Sequence, residues 1–346
     1  MHEIFKFYSV TKLKSITMGV LIKKGLKTVL MLVLLGITPV IYGQATMNDV
    51  KSSFNQAVQM EKVNPEAAIN SYNNVIELAD QLGGDEAEQI KNQAMSRIPK
   101  MYYEAAKKLA GQKEYEASVK MLDQSISAYN EVGDERAAAR SLRTILSIRG
   151  VQGAGALNEG NYDQALGFYN DALERDPSYT KAYLGKLVIY DKMEDEAKMV
   201  EVAKQGLTVA EQERDNSVAG DIKKLMRGHY FNEAQMAMRG QDYAAAENNL
   251  KNSTEYGNNN VIVHYQMGLA QKGQEKWAEA VESFNEALEL ETGGPEEKAR
   301  IYFELGGAYQ ALNRDAEACE SYKNALYGEF AEAAQYQIDN VLKCDG

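Results

Sequence analysis

Histidine, cysteine and proline are scarce in this chain, whose 346 residues hold three His, two Cys and five Pro. The histidines are His2, His229 and His264, the last two 35 residues apart, and no two stand at helical ligand spacing. A metal centre built on imidazoles is therefore not expected. Both cysteines, Cys319 and Cys344, lie near the C-terminal end. None stands near the end of the N-terminal apolar run, which argues against a lipid anchor there. So few prolines in a chain that is 45% hydrophobic and rich in Ala, Glu, Lys, Gln and Leu exclude disorder and favour helices. Gly150, Gly153, Gly155 and Gly160 follow neither the G-x-G-x-x-G nor the Walker order, and they read as close-packing and turn glycines. The many carboxylates are scattered along polar helix faces without a marked catalytic pair. Neither an enzyme nor a cofactor is expected.

The first 43 residues differ from the rest. Six Lys against one Glu occupy residues 1–27, and residues 28–42 carry no charge. The apolar core, Val29 to Ile37, is broken by Pro39, which suits a signal peptide better than a membrane span of about 20 residues. Small residues place cleavage near Gly43 to Ala45. An uncleaved anchor is the alternative, and Met18 would give the leader a more ordinary start. Removing residues 1–43 leaves 32 basic and 49 acidic residues, a net charge of −17. Such a surface repels nucleic acid and anionic lipid, so neither a nucleic-acid partner nor membrane insertion of the mature chain is expected.

What is abundant is one repeated phrase. Tyr243-Ala244-Ala245-Ala246, Trp277-Ala278-Glu279-Ala280 and Asp315-Ala316-Glu317-Ala318 recur, the first two 34 residues apart. A unit of that length, two short helices, cannot bury its apolar face alone and must stack on copies of itself. Gly153, Ala156, Tyr162, Ala165, Tyr169, Ala172, Leu173 and Pro177 give the fullest version of the pattern, matched by Leu305, Gly306, Tyr309, Ala318, Tyr322, Ala325 and Leu326. This pattern resembles the tetratricopeptide repeat. The resemblance implies an all-α fold, a right-handed superhelical solenoid of antiparallel helix pairs. Small residues let the two helices of a unit approach, and Tyr169 or Tyr322 fills the space between units.

The frame gives a leader at 1–43, divergent repeat-like helix pairs at 46–145, a repeat array at 146–332, and a capping helix and tail at 333–346. Met199 and Gly206 depart from the pattern, standing where alanine is usual. Repeat anchors at Ala68, Ser118, Ala165, Met199, Ala246, Ala280 and Ala318 are spaced unevenly, and the longer steps imply extended first helices. Seven helix pairs follow, closed by an amphipathic helix from Ala331 to Lys343.

In this family the first helices line the concave face, so the fifth residue of each unit points into the groove. Those residues are Tyr103, Gly150, Leu184, Phe231, Tyr265 and Phe303, and the apolar ones suit a hydrophobic or helical peptide partner. Core packing is the alternative reading. Members that clamp the acidic terminus of heat-shock chaperones carry Lys and Asn at this phase, and this chain does not. Arg136, Arg140 and Arg143 form a stripe on one helix face that would suit an acidic partner, or a solvated face. Export would permit a Cys319–Cys344 disulfide. Counting helical rise leaves the two thiols only loosely level, with a buried free thiol at Cys319 as the alternative. The reading is an exported protein-binding scaffold of the bacterial periplasm or cell envelope, with glycan binding or a structural role in an envelope complex as its rivals.

Overall fold

The structure is a computed structural model that describes residues 45–344, so the leader and most of its cleavage region lie outside it. The described residues contain helices and no strand. In chain order the helices are α1 (Met47–Met60), α2 (Pro65–Leu82), α3 (Asp85–Gly111), α4 (Tyr115–Glu131), α5 (Glu135–Asn158), α6 (Tyr162–Arg175), α7 (Thr180–Lys192) and α8 (Glu196–Gln212). They continue as α9 (Asn216–Arg239), α10 (Tyr243–Glu255), α11 (Val261–Gly273), α12 (Trp277–Leu290), α13 (Pro295–Ala311), α14 (Asp315–Asn324) and α15 (Ala331–Tyr336). A 3-10 turn at Gly328–Phe330 precedes α15, and a π-helical stretch at Gln337–Leu342 follows it. Two compact units divide after Lys107.

Turn chemistry explains the regular alternation. Most helices end in a residue with positive φ: Lys113, Gly133, Gly160, Glu194, Arg214, Gln241, Glu275 and Asn313. In each case the next N–H returns to a carbonyl five residues back, as in Asp195 to Tyr190 (3.0 Å) and Asp242 to Ala237 (2.9 Å), which satisfies orphan groups of the finished helix. That same next residue often caps the following helix. Asp134, Asp195, Asp215 and Asp242 accept from the N–H groups of Ala137, Lys198, Val218 and Ala245 at 3.0–3.1 Å. One helix thus stops and the next starts within three residues. Six of the eight left-handed positions hold a side chain that disfavours that conformation. Gln241→Gly is expected to raise the unfolding free energy by about 0.5–1 kcal/mol, the relief outweighing the entropy glycine adds to the unfolded chain. Urea titration checks it, and an unchanged midpoint would show that the turn is not strained.

In the first unit, α1, α2 and α3 enclose the fully buried Val50, Ala57, Ala68, Tyr72, Val75, Ala87 and Ala94. Pro65 is the first residue of α2, where Asn64 caps the helix and the missing proline N–H is an orphan anyway. The Tyr72 hydroxyl donates to Glu61, which also accepts from Arg97 at 2.8 Å, and Phe54 meets the Tyr72 ring edge-on at 5.7 Å.

In the second unit, the small-against-aromatic pattern takes physical form. The Tyr169 ring lies where a Cβ on either Gly153 or Gly185 would go, so it fills the space between its own unit and the next. Tyr322 over Gly306 and Phe284 over Gly268 repeat the arrangement within their units. The departures at Met199 and Gly206 do not break α8. Met199 is fully buried, and Tyr183 and Ile222 occupy the space a Cβ on Gly206 would need. Gly185→Ala is expected to cost about 1–3 kcal/mol, since the Tyr169 ring is held from both sides. Thermal melts of the variant test this, and an unaltered Tm would mean that the ring can move aside.

At the C-terminal end, Ala318, Tyr322 and Ala325 pack on Ala334 and Ile338. Cys319 and Cys344 are joined by a disulfide with Cα atoms 5.8 Å apart. Two features of the backbone overcome the axial offset that counting residues implies. The last helix widens to π geometry, and Lys343 turns left-handed (φ 54°), so the Cys344 N–H bonds the Ile338 carbonyl at 2.9 Å and the chain folds back toward α14.

Candidate partner-binding site

A cleft of about 900 Å³ lies between α7 and α9 in the second unit. Its length comes from α9, which has 24 residues against 13 in α7. Asp215 fixes the register of the two: it caps α9 and accepts from the Thr180 hydroxyl at the start of α7 (2.7 Å). Further along, His229 Nδ1 meets Asp191 Oδ1 at 3.2 Å. The other ring nitrogen, Nε2, is buried without a hydrogen-bond partner among the described residues. Beneath it Tyr230 stacks on Tyr256 at 6.0 Å, and burial together with the nearby Glu196 carboxylate pushes its hydroxyl up to about 12.

The cleft has an apolar floor and a charged rim. Leu184, Val188 and Leu225 are half-buried along the floor, and Met236 is 53% exposed at one end. Asp191, Glu194, Glu196, Asp221 and Glu233 line the rim with a single lysine, Lys224. Asp191 faces His229 and Glu196 lies against Tyr230. Glu194, Asp221 and Glu233 have no side-chain ion pair among the described residues.

Each groove residue expected from sequence has its own neighbours. Leu184 lines the cleft. Phe231 packs against Ala234, Leu250, Val263 and Met267. Tyr265 lies 6.0 Å from the Phe284 ring and 5.1 Å from the Arg300 guanidinium. Phe303 sits 5.6 Å from both Tyr322 and Phe330. Gly150 faces the Tyr179 hydroxyl. Tyr103, with the Lys107 ammonium 5.8 Å over its ring, belongs to the first unit. Arg136, Arg140 and Arg143 are all exposed on α5.

Sequence reasoning missed the acidic rim and two buried charges. The rim's signal was the cluster Asp191, Glu194 and Glu196 at one helix turn, opposite polar positions recurring on α9 from Asp221 to Glu233. Arg149, with its side chain 9% exposed, ties α4, α5 and α6 through Glu116 and Asp171. Glu247, with its side chain 7% exposed, accepts from Lys251 (2.7 Å), Lys276 (2.7 Å), Gln274 (2.9 Å) and Gln271 (3.3 Å). Burial alone would raise its pKa, but these donors prevail and hold it at about 2. Both charges are saturated by neighbouring helices and are structural ties. His264 also meets its neighbours, Nε2 by a hydrogen bond with Asn259 and Nδ1 within ion-pair distance of Glu286. No group of three or more His, Cys, Asp or Glu that could hold a metal occurs among the described residues, and no described helix is long and apolar enough to cross a membrane.

A tetratricopeptide repeat family model matches residues 299–327, which span most of α13 and all of α14. The chain carries a tetratricopeptide repeat in this segment. Five other helix pairs repeat the turn of that segment, and α5–α6 and α11–α12 repeat its packing of an aromatic ring over glycine, giving an all-helical repeat array. No curated protein matches it in sequence. Among solved structures, the MamA protein is 17% identical with a TM-score of 0.30, the match covering 57% of this chain and 96% of MamA. YrrB, described as a TPR protein with an unusual peptide-binding site, is 17% identical with a TM-score of 0.29, covering 55% of this chain and 90% of YrrB. The TPR2AB domain of yeast Sti1, in complex with pHSP90, is 15% identical with a TM-score of 0.28, covering 71% of this chain and 93% of that domain.

Proposed function

We propose that this tetratricopeptide-repeat protein is a non-enzymatic interaction scaffold of the bacterial periplasm or cell envelope that holds a partner polypeptide in the α7–α9 cleft. The observation that carries the reading is the cleft itself. Its volume of about 900 Å³ and its half-buried apolar floor offer a partner's anchor side chain a place to dock. Stacked helix pairs bury their own stripes and offer the remaining surface to ligands, with affinity coming from a few anchors. Two features support the exported setting: the basic-then-apolar leader in the sequence, and the Cys319–Cys344 disulfide, which an oxidising compartment maintains. A photo-crosslinking side chain placed at Asn232 of the full chain, followed in cells by mass spectrometry, tests the reading. A protein adduct is expected. Retention on purified envelope glycan with no protein adduct would replace the scaffold with a glycan-binding module.

A further inference from the structure

We propose that the segment held in the α7–α9 cleft is cationic and amphipathic, presenting Lys or Arg to the rim and an apolar side chain to the floor. This rests on the scaffold reading and adds the chemistry of the partner. Charge complementarity argues for it. Five carboxylates and one lysine line the recess, and Glu194, Asp221 and Glu233 carry no ion pair of their own among the described residues. Elsewhere in this unit buried carboxylates recruit their cations internally, as Glu247 does with Lys251 and Lys276. The rim does not. Asp221 and Glu233 stand on α9 twelve positions apart, about 18 Å along the helix and about 120° around it, and both line the recess. An arriving helix with Lys or Arg recurring over a similar length meets both, while an apolar residue on its inner face reaches the Leu225 floor and the exposed Met236. An acidic or neutral segment would leave these carboxylates uncompensated as water is displaced, which disfavours it.

The test uses the full chain with two synthetic helices, a Lys/Leu amphipathic peptide and its Glu/Leu counterpart, and measures binding by calorimetry. The Lys/Leu peptide is expected to bind and the Glu/Leu peptide to fail. Asp221→Lys with Glu233→Lys should weaken the Lys/Leu peptide by about tenfold or more, as loss of two rim pairs implies. The control reverses the same number of charges on the exposed face of α12, Glu282→Lys with Glu289→Lys, and should leave affinity unchanged. Met236→Ser should weaken binding severalfold without altering its salt dependence. Helicity measured by circular dichroism identifies any variant that misfolds, and Asp221→Asn with Glu233→Gln then replaces the reversals. Equal losses in the rim and control variants would reduce the effect to the overall negative charge and overturn the proposal, as would binding of the Glu/Leu peptide. A protein adduct at Asn232 combined with no effect of the rim variants would sink the cationic partner while leaving the scaffold reading standing.

Discussion

Arg149→Met is expected to lower the unfolding free energy by about 2–4 kcal/mol, because removing one partner of a buried charge network strands the others. The Arg149 guanidinium donates to Asp171 on α6, to both oxygens of Glu116 on α4, and to its own neighbour Gln152, while lying 5.7 Å over the Phe168 ring. One buried cation thus pins three consecutive helices. Glu116 is 67% exposed and recovers much of its hydration when released, whereas Asp171, at 33%, recovers less. Arg175 still reaches Asp171 at 3.1 Å, which keeps the loss below that of an isolated buried charge. The hydrogen bond from Arg149 is the main cause lowering the Glu116 pKa. At Asp171 burial pulls upward, and Arg149 with Arg175 more than reverses it. Depressed carboxylate pKa values contribute stability that is present above the ordinary values of 4.5 and 3.8 and is lost as pH falls through the lowered ones. The gap between parent and variant should therefore be widest at neutral pH and shrink in acid. Urea titrations at neutral and acidic pH would show this convergence. A gap that does not change with pH would mean that packing of the arginine stem, not its charge, holds the helices.

The repeat spacing carries most of the fold. The steps from Ala68 to Ser118, Ser118 to Ala165 and Met199 to Ala246 are longer than 34 residues, and the first helices that absorb them, α3, α5 and α9, have 27, 24 and 24 residues against 13 in α7 and α11. Helix length was legible because insertions in a stacked array must leave the packing phase intact, which whole helical turns do. Arg149 was not legible. It stands six residues after Arg143, which places it roughly 240° around the helix from the exposed stripe, but its partners are fixed only by the stacking of α4 and α6. The groove column shows the same limit. The phase of Phe231, Tyr265 and Phe303 places them near an inter-helix face, but whether such a ring meets solvent or a neighbour depends on the next unit, and for Phe303 the neighbour is Phe330 in the C-terminal cap. The cleft was hidden for a related reason. It exists because α9 outruns α7, which sets polar positions of two different units on facing walls.

Breaking the Cys319–Cys344 disulfide is expected to cost about 3 kcal/mol on the chain-entropy account, given the 25 residues that separate the two thiols. The location of the bond matters as much as its magnitude. α14 ends at Asn324, and the segment covering it consists of one 3-10 turn, a helix of six residues and a π-helical stretch of six. Such short pieces have little stability of their own. What holds them is the contact of Ala334 and Ile338 with Ala318, Tyr322 and Ala325, together with the covalent link. A terminal unit in a repeat array has a neighbour on one side only, so its apolar face depends on the cap. Cys319→Ser with Cys344→Ser should therefore lower the stability of the terminal pair first. Amide exchange would show protection falling in α14 and the C-terminal segment before it falls in α7 or α11. The parent protein under reductant should behave like the double variant, while the variant itself should not respond to reductant. Equal loss of protection throughout the second unit would show instead that the array unfolds as one cooperative body, with the cap's 3 kcal/mol spread over all of it. An unchanged denaturation midpoint would show that the apolar contacts alone close the array, leaving the disulfide as a mark of the compartment in which the chain folds.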